Sequence, residues 1–196
     1  LSLSEFFQFT GKQVNIDYLK ERLIKADAIL LSGPVYFGDR SSLAQELISL
    51  IRSDGKLRRI LKGKLYGGIS VGAKRNGGQE TTLIYQILDM VSLGFLAVGN
   101  DSDTTAQYGG TCHAGDIGTM YKDKYGLDTS KGIGRRLANL LINLHQKKEL
   151  RGVPKVLFLL LQDTNDLAKR NIYDLIERCS SSMKASVLDL KIDNIY

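Results

Sequence analysis

Residues 26–38 read Ala26-Asp27-Ala28-Ile29-Leu30-Leu31-Ser32-Gly33-Pro34-Val35-Tyr36-Phe37-Gly38. Ala28 to Leu31 is a short apolar run cut off by a Ser-Gly-Pro turn, the pattern of a strand buried on both faces. A helical pattern stands on each side of it. Upstream, Asn15 or Asp17 caps a helix carrying Leu19, Leu23 and Ile24 on one face. Downstream, Ser41 and Ser42 open a second helix, with Gln45 as a capping-box partner and Leu43, Leu47, Leu50 and Ile51 as its buried stripe.

The alternation continues outward. Leu65 to Val71 reads as a strand running into the loop Gly72 to Gln79. A helix follows over Glu80 to Leu93 through Leu83, Ile84, Ile87, Leu88 and Val91, and then a strand over Gly94 to Val98. Gly99 to Thr129, rich in Gly, Asp and Thr, is too long for an idle connection, so it is expected to be functional or to carry short irregular structure. Ser130 to Lys148 closes the unit as an amphipathic helix with Ile133, Leu137, Leu140, Leu141 and Leu144 inside. Strands alternating with helices predict an α/β fold, a doubly wound parallel sheet in three layers.

Arg151 to Pro154 makes a break. Lys155 to Leu161, Asn165 to Ser182 and Ala185 to Leu190 then read as a new strand, helix and strand. The two ends of the chain resemble each other, Leu188-Asp189-Leu190-Lys191-Ile192 against Leu1-Ser2-Leu3-Ser4-Glu5, a faint tandem-repeat signal. Residues 1–150 are therefore expected to form one domain and residues 151–196 to begin a second. The alternative is that the second unit folds back and completes the first.

Composition narrows the function. The chain has 196 residues, 43% of them hydrophobic, enough for a buried core and unlike a disordered segment. No apolar run approaches the length of a membrane helix. Cys112 and Cys179 alone support neither a disulfide framework nor a thiolate metal cluster, so a reducing, cytoplasmic setting fits. The net charge of +6 has a local source in Arg52, Lys56, Arg58, Arg59, Lys62 and Lys64. Without interleaved aromatics this patch is a solvated face rather than a nucleic-acid platform.

In a parallel sheet, ligands bind beyond the carboxyl ends of the strands. Ser32 to Asp39 offers glycines, a stiffening Pro34 and flat apolar surface on Tyr36 and Phe37. Gly72 to Thr82 is a loop with exposed amides entering a helix N-terminus, where anionic or electron-rich groups are favoured. Tyr108-Gly109-Gly110-Thr111 is a third candidate. Each alone reads as an ordinary turn. Together, after successive strands, they are expected to surround one flat cofactor.

With those three segments quoted, the chain resembles the flavodoxin-like NAD(P)H-dependent FMN reductases, a group that includes multimeric quinone reductases and iron-sulfur flavoproteins. The Pro-Val-Tyr-Phe-Gly turn and the Gly-Gly-Gln-Glu-Thr-Thr loop carry most of the likeness. The resemblance implies an NAD(P)H-dependent oxidoreductase that binds FMN and passes electrons to a small acceptor such as a quinone. It places Pro34, Val35, Tyr36, Phe37 and Gly38, with Ser32 behind them, along the isoalloxazine and ribityl part of FMN. Gly77, Gly78, Gln79 and Glu80 would close over the pyrimidine side, and Tyr108, Gly109 and Gly110 would complete the pocket. Loop amides would hydrogen-bond the N1 and O2 edge, and no side-chain acid or base is required. A homo-oligomer is implied, with no membrane or nucleic-acid partner.

The departures point elsewhere. The family holds the FMN phosphate after its first strand, whereas this chain opens at what reads as the second, as though truncated at the N-terminus. The loop after Leu161, Gln162 to Asp166, has no glycine and two acids. Phe9 to Asn15 lacks the clustered cysteines of the iron-sulfur members. A non-catalytic flavodoxin-like interaction or regulatory module is the alternative reading. His113 beside Cys112 and Asp116 is a weaker hint of a nucleophile and base, without the elbow motif that hydrolases use. Lys131 to Arg136 is glycine-containing but helical in period, so it fails the context of a dinucleotide fingerprint.

Overall fold

The computed structural model describes residues 15–101, 107–116, 118–147, 155–161, 170, 173–174, 176–178 and 184–190. The segment Leu1 to Phe9, the break at 151–154, the loop 162–166 and Cys179 lie outside the described residues. Two compact units divide at residues 145 and 146.

In the first unit, helix α1 (Ile16–Lys25) leads into strand β1 (Ala28–Pro34). Helices α2 (Ser42–Ser53) and α3 (Gly55–Leu61) precede strand β2 (Leu65–Gly72). Helix α4 (Gln79–Ser92), the short strands β3 (Leu96–Ala97) and β4 (Gly110–His113), and helix α5 (Lys124–Lys147) complete it. Every pairing between these strands is parallel. β1 runs beside β2 from Ala28 opposite Leu65 to Pro34 opposite Val71. β3 and β4 share the other edge of β2, β3 at Leu65 and Tyr66 and β4 from Ile69 to Gly72.

Strand β2 is central because its sequence lets helices come close on both sides. A methyl group on Gly67 would lie 2.9 Å from Ile133 and Leu137 of α5, and one on Gly68 would lie 2.7 Å from Leu83 of α4. The larger core cluster joins Ile29, Ile48, Ile51, Leu57, Leu61, Tyr66, Met90 and Phe95, and a smaller one joins Leu65, Val98, Ile133 and Leu137. The layers are therefore helix, sheet, helix, the flavodoxin-like α/β arrangement that the alternating pattern predicts.

Several local expectations are corrected. Helix α2 is capped by Ser41, whose hydroxyl accepts from the Ala44 amide at 3.3 Å, so Gln45 falls one residue too late to close a capping box. Its buried face is Ala44, Ile48 and Ile51, with Leu43, Leu47 and Leu50 half-buried beside it. On α4 the buried face carries Gln79, Thr82, Leu83, Gln86 and Met90, while Ile84, Leu88 and Val91 are exposed. Two of the polar side chains on this face find partners in the core: Gln86 Oε1 accepts from the buried Tyr66 hydroxyl at 2.9 Å, and the Gln79 side chain bonds backbone groups of the preceding loop and β4. Helix α5 begins at Lys124, six residues ahead of the expected Ser130, behind the Asp123 side chain, which accepts from the Gly126 amide at 3.0 Å.

In the second unit, β5 (Lys155–Leu161) pairs in parallel with β6 (Lys184–Leu190), from Lys155 opposite Lys184 to Leu161 opposite Leu190. A parallel pair requires a crossover, and helical residues 170, 173–174 and 176–178 lie between the strands.

Candidate functional site

The first turn leaves the sheet at its carboxyl rim. Pro34 ends β1 opposite Val71, and the Val35 amide donates to the Val71 carbonyl at 2.9 Å. Tyr36 and Asp39 then exchange two backbone hydrogen bonds, 2.8 and 3.0 Å, around Phe37 and Gly38 at φ 52° and 80°. Positive φ at both central positions marks the mirror-image hairpin turns that Asn, Asp and Gly normally occupy. A phenylalanine held there is strained, and its ring is fully exposed. Ser32, Pro34 and Tyr36 are exposed beside it, and Val35 is half-buried.

Behind the turn, the largely buried Arg40 guanidinium pairs with Asp89 on α4, which also takes Arg52 at 2.5 Å. Burial by itself would raise the Asp89 carboxyl, yet the two guanidinium groups hold it below the usual carboxylate range. The strut ties the first turn to α4.

The second loop meets the first directly. A side chain on Gly78 (φ 94°) would sit 2.7 Å from the Gly38 Cα and 3.3 Å from Val35, so only glycine permits this contact. Gln79, 2% exposed, staples the loop from inside. Its side-chain amide donates to the Lys74 carbonyl at 2.6 Å and the Cys112 carbonyl at 2.9 Å, and its oxygen accepts from the Gly77 amide at 2.8 Å. The Ser70 hydroxyl donates to the Gln79 carbonyl at 2.9 Å. The Gly77 N–H is thus spent inside the protein. Amides available to a ligand are those of the first turn of α4, because Thr82 N–H is the first to reach back to an in-helix acceptor, the Gly78 carbonyl at 3.0 Å. Unlike α1, α2 and α3, capped by Asn15, Ser41 and Asp54, helix α4 has no side-chain cap.

The third segment is placed differently from the first two. Tyr108 and Gly109 lead into β4 and Gly110 opens it, beside Gly68 and Ile69 in the middle of β2 rather than at its end. Gly109 (φ 137°) rests on the Gly68 carbonyl so closely that a side chain would collide with it, and Asn100 clamps its carbonyl at 3.1 Å. Gly109 and Gly110 are buried, and Tyr108 is exposed. What reaches the rim from this side is the end of β4 and its continuation. There the Ala114 amide donates to the Gly72 carbonyl at 2.8 Å and the Gly115 amide to the Ala73 carbonyl at 3.1 Å.

An ion cluster closes that side. Arg75, from the second loop, donates to the Thr111 carbonyl at 2.9 Å, meets Nδ1 of His113 at 2.8 Å, pairs with Asp123 and lies 5.1 Å from the centre of the Tyr125 ring. Burial would raise the Asp123 carboxyl, but the Gly126 and His113 amides, the His113 ring and the Arg75 charge together hold it low. Cys112 is no nucleophile. Burial pushes its thiol up, and its Sγ lies 3.2 Å from the Gly126 carbonyl and 3.1 Å from the Ser130 hydroxyl.

Between these parts lies a cleft of about 500 Å³, lined by Gly78, Gln79 and Glu80 together with Arg75, Asn76, Thr81, Thr111 and Tyr125. Of the last five, Arg75, Asn76 and Thr81 stand in the quoted second segment and Thr111 in the quoted third, none of them singled out as a site residue, and Tyr125 lies outside all three. Tyr125 was hidden because Gly126, a poor helix former, disguised the start of α5. Asp123, a good N-cap residue, was the available signal.

A parallel sheet with glycine loops and an uncapped helix N-terminus at its carboxyl rim defines an α/β domain of the nucleotide-cofactor-binding class. Residues 4–103 match the family model for NADPH-dependent FMN reductases, and the chain belongs to that family. It is 36% identical over 127 residues to an iron-sulfur flavoprotein of Methanocaldococcus jannaschii, covering 65% of each chain. It is 32% identical over 138 residues to an NAD(P)H dehydrogenase (quinone) of Caulobacter vibrioides, covering 64% of this chain and 68% of that one. The chain thus spans about two thirds of the length of these relatives. A WrbA-like flavodoxin from Agrobacterium tumefaciens aligns with a TM-score of 0.43 at 20% identity, over 64% of this chain and 76% of that one.

FMN is the cofactor of this family and NAD(P)H its electron donor. The residues present fit FMN: the exposed rings of Tyr36 and Phe37 offer flat apolar surface, and the open α4 amides offer donors to an electron-rich edge. Among the described residues no helix is long and apolar enough to cross a membrane.

Proposed function

We propose that residues 1–150 form an FMN-binding domain acting as an NAD(P)H-dependent flavin oxidoreductase, with a small acceptor such as a quinone. The observation that carries this reading is the contact of the two glycine loops at Gly38 and Gly78, beside an uncapped helix N-terminus and an open cleft. When bound, FMN would supply two-electron chemistry between the nicotinamide and the acceptor.

The chain's own part is positional. Pro34, Val35, Tyr36, Phe37 and Gly38 present apolar surface to the ring. The amides of Gln79, Glu80 and Thr81 present partial positive charge at the α4 terminus. Gln79 works from behind by holding the loop shape, with Gly77 turned inward. Ser32, Tyr108, Gly109 and Gly110 support the floor. No side-chain acid or base need exchange a proton.

Residues 151–196 begin a second unit of related pattern. The exposed stripe of Ile84, Tyr85, Leu88 and Val91 on α4 supports a homo-oligomer, and the free, buried Cys112 supports a reducing, cytoplasmic setting. The test is the absorption spectrum of the full chain incubated with FMN, desalted and given NADPH and a soluble quinone. Retained yellow colour, bleached by NADPH and restored by quinone, supports the reading. A colourless protein overturns it.

A further inference from the structure

The charges that line the cleft are unevenly matched. Arg75 and Glu80 are the charged side chains among its lining residues. Arg75 is held in place, since its guanidinium donates to the Thr111 carbonyl at 2.9 Å, pairs with Asp123 and lies 5.1 Å from the centre of the Tyr125 ring. The Asp123 side chain is 4% exposed and does not line the cleft, whereas that of Arg75 is 36% exposed and does. The pair therefore stands end-on, with its carboxylate inward and its guanidinium toward the open space. The N-terminus of α4, which has no side-chain cap, adds positive partial charge at the same place. Glu80 opposes both, but it is exposed, so water screens it more than it screens a braced, half-buried guanidinium.

Resting on the flavin reading, we propose that Arg75 tunes the flavin of this cleft: its charge, offset only in part by Glu80, shifts the preference of the cleft toward reduced FMN over oxidised FMN. The ring system of oxidised FMN is neutral. Taking up two electrons and one proton leaves it with one negative charge, which a fixed cation steadies and a fixed anion opposes. The phosphate is common to both forms and cancels from the comparison. A guanidinium stays protonated at every accessible pH, so no titration of the protein enters. This role differs from bracing the loop. A brace holds both forms alike, whereas a charge discriminates between them.

The full chain loaded with FMN is reduced stepwise without oxygen beside a dye of known potential, and the Kd of oxidised FMN is measured by fluorescence quenching. Together with the potential of free FMN in the same buffer, these give the Kd of the reduced form. In Arg75→Gln the reduced form is expected to lose about tenfold more affinity than the oxidised form, which is a fall of about 30 mV in the midpoint potential of a two-electron couple. Arg75→Lys keeps the charge without the planar fork, so both forms are expected to bind more weakly with the ratio held within about twofold. Glu80→Gln removes the opposing charge and is expected to raise the potential. An Arg75→Gln protein that binds both forms more weakly by the same factor, its potential unmoved, overturns this inference and leaves the flavin reading standing. If Arg75→Gln takes up no FMN, Glu80→Gln decides: a raised potential upholds the inference, and an unmoved or lowered one overturns it. A native chain that binds neither form overturns both.

Discussion

At the scale of residues, the site shows two kinds of cost, one borne by a side chain in the open and one by a side chain in the core. Phe37 holds a left-handed backbone with its ring in solvent, a combination that folding alone does not favour. Phe37→Asn is expected to raise unfolding free energy by about 1 kcal/mol while weakening FMN binding several-fold, since it relieves strain and removes the ring. Denaturant unfolding and FMN titration measure the two effects separately, and a variant that gains on both would disprove a flavin contact. Gln79 is the opposite case. Gln79→Leu leaves the Lys74 and Cys112 carbonyls and the Gly77 amide without their partner, an expected loss of about 3 kcal/mol together with FMN affinity. The sequence made Phe37 and Gln79 visible as a turn and a loop residue. It did not show that Gln79 faces inward, because that depends in part on the Cys112 carbonyl of a strand more than thirty positions away.

At the scale of elements, legibility followed the hydrophobic period where a single helix face was apolar and failed where polar groups were buried. β2 and the β5–β6 pair stand close to the boundaries expected from their short apolar runs, whereas β1 runs on through Ser32, Gly33 and Pro34, expected as its closing turn, because these residues stay in register with Ile69 to Val71. On α4 the period misled, since Gln86 and Thr82 occupy the inner face and Ile84, Leu88 and Val91 the outer. The stretch from Gly99 to Thr129 concealed β4, a strand of four residues whose Gly-Thr-Cys-His sequence has no apolar run, because its place is set by register beside Ile69 to Gly72. Caps were better marked than boxes. Ser41→Ala is expected to cost about 1 kcal/mol, measured by urea unfolding, whereas Gln45→Ala should be close to neutral.

At the scale of the whole molecule, two paired carboxylates, one half-buried and one buried, make stability depend on pH. Asp89 and Asp123 both titrate below the ordinary carboxylate value when folded, so their contribution is fully present above the unfolded value of about 3.9 and is lost as pH falls through the folded values. The unfolding midpoint should therefore drop steeply in acid, and less steeply in Asp123→Asn; equal slopes in both proteins would remove Asp123 from the account. The parallel sheet and its three layers were readable from alternation, and two of the rim loops from their glycines and Pro34. The rim contribution of β4 and α5 was not, since it is assembled by Arg75 and Asp123 across distant segments. The central claim is that FMN is held where the two glycine loops touch, and calorimetric titration of FMN into the full chain tests it, with Gly78→Ala as the probe and Gly55→Ala, which has open space around it, as the control. The account predicts one FMN per chain for the native and Gly55→Ala proteins and at least about tenfold weaker binding for Gly78→Ala, equivalent to 1.4 kcal/mol. Equal affinity in all three, or no heat of binding in the native chain, would contradict it.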